Sequence, residues 1–214
     1  DYLRLDVLLS AQQPLSDPPQ HDELLFIVQH QTSELWLKLM VHELRSARAL
    51  LRTDDLSPAL KRMARIKHIQ HTLTDQWSVL ATLTPSEYAE IRPFLATSSG
   101  FQSAQYREVE FLLGNKNADM VDVFSHDESA RTALTELLHE PSLYDEFLAH
   151  LARQGYAVPQ RLLARDWSQP HTTDPELVDL FASVYAAPAE HWGVYETCEE
   201  LVDIEDAFQQ WRFR

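Results

Sequence analysis

Glycine is scarce in this sequence of 214 residues: only four occur, Gly100, Gly114, Gly155 and Gly193, and none lies near another. Phosphate cradles and dinucleotide folds need clustered glycines where backbone must approach a ligand closely, so GxGxxG and GxxxxGK motifs are excluded. A single cysteine, Cys198, excludes an internal disulfide and points to a reducing compartment, with the cytoplasm as the default. Long apolar runs are missing too. The longest clear one, Leu24 to Val28, falls far short of the roughly 20 residues needed to cross a bilayer, and no secretory signal opens the chain. Positive charge is sparse: 18 Lys and Arg stand against 33 Asp and Glu, a formal net charge of −15. Such a surface repels phosphate backbones, and without a basic stripe nucleic-acid binding is not expected.

What is present reads as helix. Hydrophobic residues make up 44% and charged residues 24%, ordinary values for a globular chain long enough to bury a core. Apolar residues recur at helical spacing from His21 to about Leu51, through Ile27, Leu35, Leu39, Leu44 and Leu50. Ser57-Pro58 offers a helix start, and Leu60, Met63, Ile66, Leu73, Trp77 and Leu80 continue one long amphipathic pattern. Thr84-Pro85-Ser86-Glu87 is a capping box with proline at the first helical position, opening a short helix that Pro93 cuts. A loop at 97–100 precedes a helix from Phe101 to Leu113 closed by Gly114; further helices are expected over 127–139, 141–154 and 175–186, the last capped by Asp174-Pro175. The stretch 188–214 places Trp192, Tyr195, Leu201, Phe208 and Trp211 near one stripe. No strand, internal repeat or low-complexity segment emerges. The expectation is an all-α chain, one helical bundle of long and short helices over 1–214, led by an apolar segment, 1–11. Architecture of this kind names no function.

Ten histidines invite a metal reading. A di-iron bundle needs two Glu-x-x-His motifs and two further glutamates, and only Glu136 to His139 fits. His68 and His71 share a helix face, which a solvated polar surface explains as well as a metal does. His30 lies one turn beyond Phe26 and Ile27 on an apolar face, with Glu34 a turn further on. An imidazole there is either a satisfied core residue or a functional one. Tyr88 and Arg92, at i and i+4, project a hydroxyl and a guanidinium the same way. They read either as an exposed arginine packed on a ring or as a fork for a carboxylate.

The string HDELLFIVQHQTSELWLK, from His21 to Lys38, resembles the most characteristic block of the tryptophan 2,3-dioxygenases. The likeness continues in order through DYLRLDVLL, LTPSEYAEIR, SSGFQSAQYREVEFLLGNKN, PSLYDEFLAHLARQGYAVP and LVDIEDAFQQWRFR, and is weakest over 46–71 and 161–190. Several long blocks in order are far more specific than any short motif. The resemblance implies an all-α homotetramer that uses haem b, with its iron, and O2 to open the indole ring of L-tryptophan to N-formylkynurenine. His30 then matches the distal histidine that bonds the indole N–H, and Phe26 an aromatic wall of the indole pocket. Tyr88 and Arg92 match residues at the substrate carboxylate, with Arg92 its main anchor. Tyr2 and Leu3 match positions reaching an adjacent subunit's pocket, Ser99 and Gly100 a loop over the distal haem face, and Trp77 a neighbour of the macrocycle. The family sets its haem-ligating histidine immediately after WRFR, beyond Arg214; failing that, His171 or His191 is the ligand to consider. Ile91 stands where the family commonly has Phe. Two other readings stay open: a related haem oxygenase acting on another indole, and a haem-less, non-catalytic helical oligomer.

Overall fold

In the computed structural model, which describes residues 2–95 and 103–213, every regular element is a helix. The order is α1 (Leu5–Leu8), α2 (Glu23–Arg52), α3 (Leu56–Asp75), α4 (Trp77–Leu80), α5 (Pro85–Ile91) running into a 3-10 turn at Arg92–Phe94, and α6 (Ala104–Leu113). It continues with α7 (Asp119–Asp122), α8 (Glu128–Leu138), α9 (Leu143–Arg153), α10 (Gln160–Leu163), α11 (Pro175–Ala186) and α12 (Trp192–Arg212). The all-α expectation holds.

α2 organises the bundle. Its 30 residues extend about 45 Å, and α3, α6 and α9 all pack against it, while α12 packs against α3 and α8 against α6. The buried stripe on α2 is Leu37, Met40, Leu44, Ala47 and Leu51, at alternating spacings of three and four. Of the stripe expected from sequence only Leu44 is fully buried; Leu35 is exposed, and Ile27, Leu39 and Leu50 are half-buried. Ile27 belongs to the first half of α2, which lines a cavity, and the buried apolar stripe begins only at Leu37. On α12 the buried residues are Val194, Cys198, Ile204, Ala207 and Phe208, whereas Trp192 lies in solvent.

Helix boundaries follow local chemistry. α3 begins at Leu56, one residue before the expected cap, so Pro58 falls in the first turn, where no backbone partner is needed. The long pattern through Leu80 is broken at Gln76, leaving α4 as a separate turn. α6 starts where the Ser103 hydroxyl accepts the Tyr106 N–H at 3.0 Å. It ends at Gly114, whose φ of 106° is left-handed and whose added Cβ would stand 3.3 Å from Ser142 Oγ.

Buried polar bonds fix the helices to one another. Gln70 on α3 donates to the Ile204 carbonyl on α12 at 3.1 Å, and Glu43 on α2 accepts from Arg65 on α3 at 2.7 Å. The densest node is Asp145, buried in the first turn of α9. Its carboxylate accepts from Ser142 N at 2.8 Å and Ser142 Oγ at 2.6 Å, from Arg165 Nε at 2.8 Å and from His171 Nε2 at 2.8 Å. Burial alone would raise its pKa, but the bonds from His171, Arg165 and Ser142 outweigh that and hold it well below the ordinary 3.8. Asp145→Asn should therefore destabilise the fold by about 3 kcal/mol at neutral pH, because it leaves buried donors unmatched. The native carboxyl binds its proton less readily than the unfolded one, so its contribution is complete above the ordinary value and is lost as pH falls below it. Urea titrations of both proteins should show the gap narrowing below about pH 4; a gap of constant size would show that the carboxylate charge is not what stabilises the node.

Candidate active site

The first half of α2 faces a cavity of about 500 Å³. Phe26, Ile27, His30 and Glu34 form its floor, Phe94 and Leu95 one side, and Ser103, Ala104 and Gln105 another. Gln13 and Leu15 close it from the segment before α2. That segment is pinned by the buried Glu23 carboxylate, which accepts the N–H groups of Leu15 at 2.7 Å and Ser16 at 2.9 Å. Desolvation is the largest influence on Glu23 and raises its pKa, yet the bonds from Leu15 and Ser16 together lower it, so it stays a carboxylate and its oxygens stay acceptors. Gln31 adds a bond to the Ala11 carbonyl at 3.1 Å and accepts one from Gln12.

His30 is half-buried and meets the cavity with a defined chemical face. Its Nδ1 lies 2.7 Å from the Phe26 carbonyl oxygen. A carbonyl only accepts, so Nδ1 carries the hydrogen, and in the neutral ring Nε2 presents a lone pair. The Phe26 ring stacks on the imidazole at a centroid distance of 3.9 Å, tilted by 32°, and lies 6.3 Å from the ring of Tyr88. His30, Glu34 and Ser103 also line a second recess, of about 110 Å³, with Trp77, Leu80, Tyr106 and Trp211. His30 thus stands on the wall shared by an amphipathic cavity and an aromatic recess. Burial, with Glu110 nearby, pushes the Tyr106 phenol up to about 12, so it remains a neutral hydroxyl through the physiological range.

Tyr88 and Arg92 are held by α5. Its capping box is complete: Glu87 Oε2 accepts from Thr84 N at 2.7 Å, and the Glu87 N–H donates to Thr84 Oγ1 at 3.3 Å. Ile91, fully buried, anchors the helix, and the Arg92 N–H bonds the Tyr88 carbonyl. Both side chains are exposed and neither lines either cavity; Arg92, at the start of the 3-10 turn, stands two and three residues before the lining Phe94 and Leu95. Arg92 makes no ion pair among the described residues.

The structure therefore brings Phe26 and His30 together with Tyr88 beside them, and places Trp77 against the recess next to His30. It does not bring Tyr2 and Leu3 there. They are 99% and 63% exposed, at the head of a segment in which no residue of α1 is buried. Ser99 and Gly100 lie outside the described residues. Sequence reasoning missed Tyr106, Trp211, Ser103, Gln105 and Phe94; only the aromatic side chains on the expected helices near 101–113 and 188–214 could have hinted at two of them. His171 is committed to Asp145, and His191 Nδ1 to the Tyr156 hydroxyl at 2.8 Å, and neither lines either cavity. Among the described residues no group of three His, Cys, Asp or Glu side chains is placed to hold a metal ion. No helix of the described residues is long and apolar enough to cross a membrane.

The recess suits a flat hydrophobic group on one side only. Its rings and Leu80 would face a macrocycle, but no histidine other than His30 and no thiol or thioether lines it. The described residues fit haem as a wall and a distal polar group, and do not supply a separate iron ligand.

Known proteins resemble the chain over its whole length. The family profile described as tryptophan 2,3-dioxygenase matches residues 1–181. A tryptophan 2,3-dioxygenase of Saccharopolyspora erythraea is 64% identical over 213 residues, covering 100% of this chain and 76% of the relative. That of Kineococcus radiotolerans is 65% identical over 214 residues, with 100% and 75% covered, and that of Xanthomonas campestris 56% identical over 213, with 100% and 72% covered. Identity at this level over the whole chain leaves no room for a likeness of fold alone: the chain belongs to the tryptophan 2,3-dioxygenase family.

Proposed function

We propose that this protein opens the indole ring of L-tryptophan with O2, giving N-formylkynurenine with haem b as cofactor, and that the cavity on α2 is where the indole binds. The observation that carries the reading is His30, whose Nδ1 is occupied by the Phe26 carbonyl so that Nε2 is the ring's one acceptor. An indole has one N–H donor and otherwise apolar edges. Phe26 and Ile27 offer the apolar wall, and His30 Nε2 the acceptor. Haem, when bound, supplies the activation of O2. The protein's part is to bind, orient and exclude water. His30 orients the indole and takes no obligatory proton. Arg92 holds the carboxylate as a two-pronged donor, with Tyr88 between it and Phe26. Trp77, Tyr106 and Trp211 would form a wall for haem; Ser99 and Gly100, which the family resemblance also assigns to haem, lie outside the described residues.

Turnover of L-tryptophan by the reduced holoprotein under labelled O2 tests the reading. N-formylkynurenine carrying both labelled oxygen atoms is expected. Incorporation of a single atom, or faster consumption of an indole lacking the amino-acid group, would move the assignment to a different indole oxygenase. A protein that takes up no haem would be the non-catalytic oligomer.

The exposed N-terminal residues Tyr2, Leu3, Val7 and Leu9 are too apolar to stand free in water. The reading sets them against a neighbouring subunit of a homotetramer, at the edge of its pocket. Removing residues 1–9 should lower the mass seen by light scattering and raise KM for L-tryptophan together; a shortened protein with parental mass and kinetics would rule the shared pocket out. A net charge of −15 and the buried lone Cys198 accord with a cytoplasmic enzyme that binds neither nucleic acid nor membrane.

A further inference from the structure

Two side-chain amides reach α2 on adjacent residues, one turn beyond His30. Gln76 Nε2 donates to Ser33 Oγ at 2.8 Å, and that hydroxyl donates in turn to the Gln29 carbonyl at 2.8 Å. Gln105 Nε2 donates to the Glu34 carbonyl at 2.9 Å and to the Glu34 carboxylate at 2.6 Å. Each glutamine directly precedes a ring of the aromatic recess: Gln76 sits at the break before Trp77, and Gln105 precedes Tyr106. Apolar contacts tolerate sliding, whereas hydrogen bonds weaken steeply with distance and angle. The bond from Gln105 is also charge-assisted.

We infer that Gln76 and Gln105 are positioning residues, a pair of clamps that hold α4 and α6 against the His30 turn and so fix the spacing between His30 and the rings of the recess. Neither touches the reacting atoms in this account. The inference rests on the proposed function for its catalytic consequence, since a displacement near 1 Å in a positioned site costs up to about 100-fold in rate.

The test is a double-mutant cycle on the holoprotein with Gln105→Ala, Glu34→Ala and both, with Gln76→Ala alongside. Gln105→Ala and Gln76→Ala should each lower kcat for L-tryptophan about tenfold with KM changed far less, since orientation is lost and not binding. The double variant should lose less than the sum of the two single losses, since both remove the Gln105–Glu34 bond. Amide hydrogen exchange of the substrate-free protein should quicken at 103–108 in Gln105→Ala and at 74–80 in Gln76→Ala. A lowered Tm with parental kcat and KM would overturn the inference, as would fully additive losses or unchanged exchange. A parent protein that does not oxidise tryptophan would sink the functional reading instead, and exchange would then decide the clamps alone.

Discussion

Replacing Arg92 by alanine should lower kcat/KM for L-tryptophan by at least about 30-fold while leaving tryptamine, which lacks the carboxylate, nearly unaffected. Arg92 stands on an exposed edge with no ion-pair partner among the described residues, directly after a helix fixed by the Thr84–Glu87 cap and by buried Ile91, and two and three residues before the cavity-lining Phe94 and Leu95. A guanidinium so placed donates two parallel bonds to a carboxylate, and a charged pair partly removed from water is worth roughly 2–5 kcal/mol when one member is deleted. Because the edge is open, the lower end of that range applies, and about 2 kcal/mol is about 30-fold. Arg92→Lys should recover only part, since an ammonium cannot reproduce the planar fork. Steady-state kinetics on both substrates decide the matter. Equal losses for tryptophan and tryptamine would make Arg92 a structural residue and favour an oxygenase for another indole.

The sequence made some of this site legible and hid the rest for definable reasons. Phe26 and His30 are one turn apart on a helix, so their adjacency follows from periodicity alone, and the 3.9 Å ring contact realises it. The Thr84 box and the Asp174-Pro175 start are local, and both helices begin where their caps require. The buried face of α2 was not legible in the same way. Apolar residues run along its first half too, and the cavity explains why Ile27 is left out of the core, while Leu35 lies on the exposed face. The aromatic recess is beyond local reading. Trp77, Tyr106 and Trp211 come from three helices far apart in sequence, and only the packing of α4 and α6 on α2, and of α12 on α3, brings them together. The break at Gln76 is likewise a tertiary effect, since nothing in the apolar spacing from Leu60 to Leu80 interrupts a helix. Family resemblance supplied Trp77 but gave no hint of Gln76, whose partner is a serine on another helix.

His30 carries the central claim, that the indole N–H is received by Nε2 inside the α2 cavity. His30→Ala removes the acceptor and leaves a donor unpaired in an apolar setting, a loss of about 1–3 kcal/mol, or about 5- to 150-fold in kcat/KM for L-tryptophan. It also removes the ring that stacks on Phe26, which would harm any indole. N1-methyl-tryptophan separates the two effects, because it keeps the ring and has no hydrogen to donate. The decisive quantity is the ratio of kcat/KM for tryptophan to that for its N1-methyl analogue, measured in the parent and in His30→Ala. The parent should favour tryptophan, and the substitution should collapse that preference by about tenfold or more. A ratio unchanged by the substitution would mean that His30 is only a wall of the cavity, and that the indole nitrogen is recognised elsewhere.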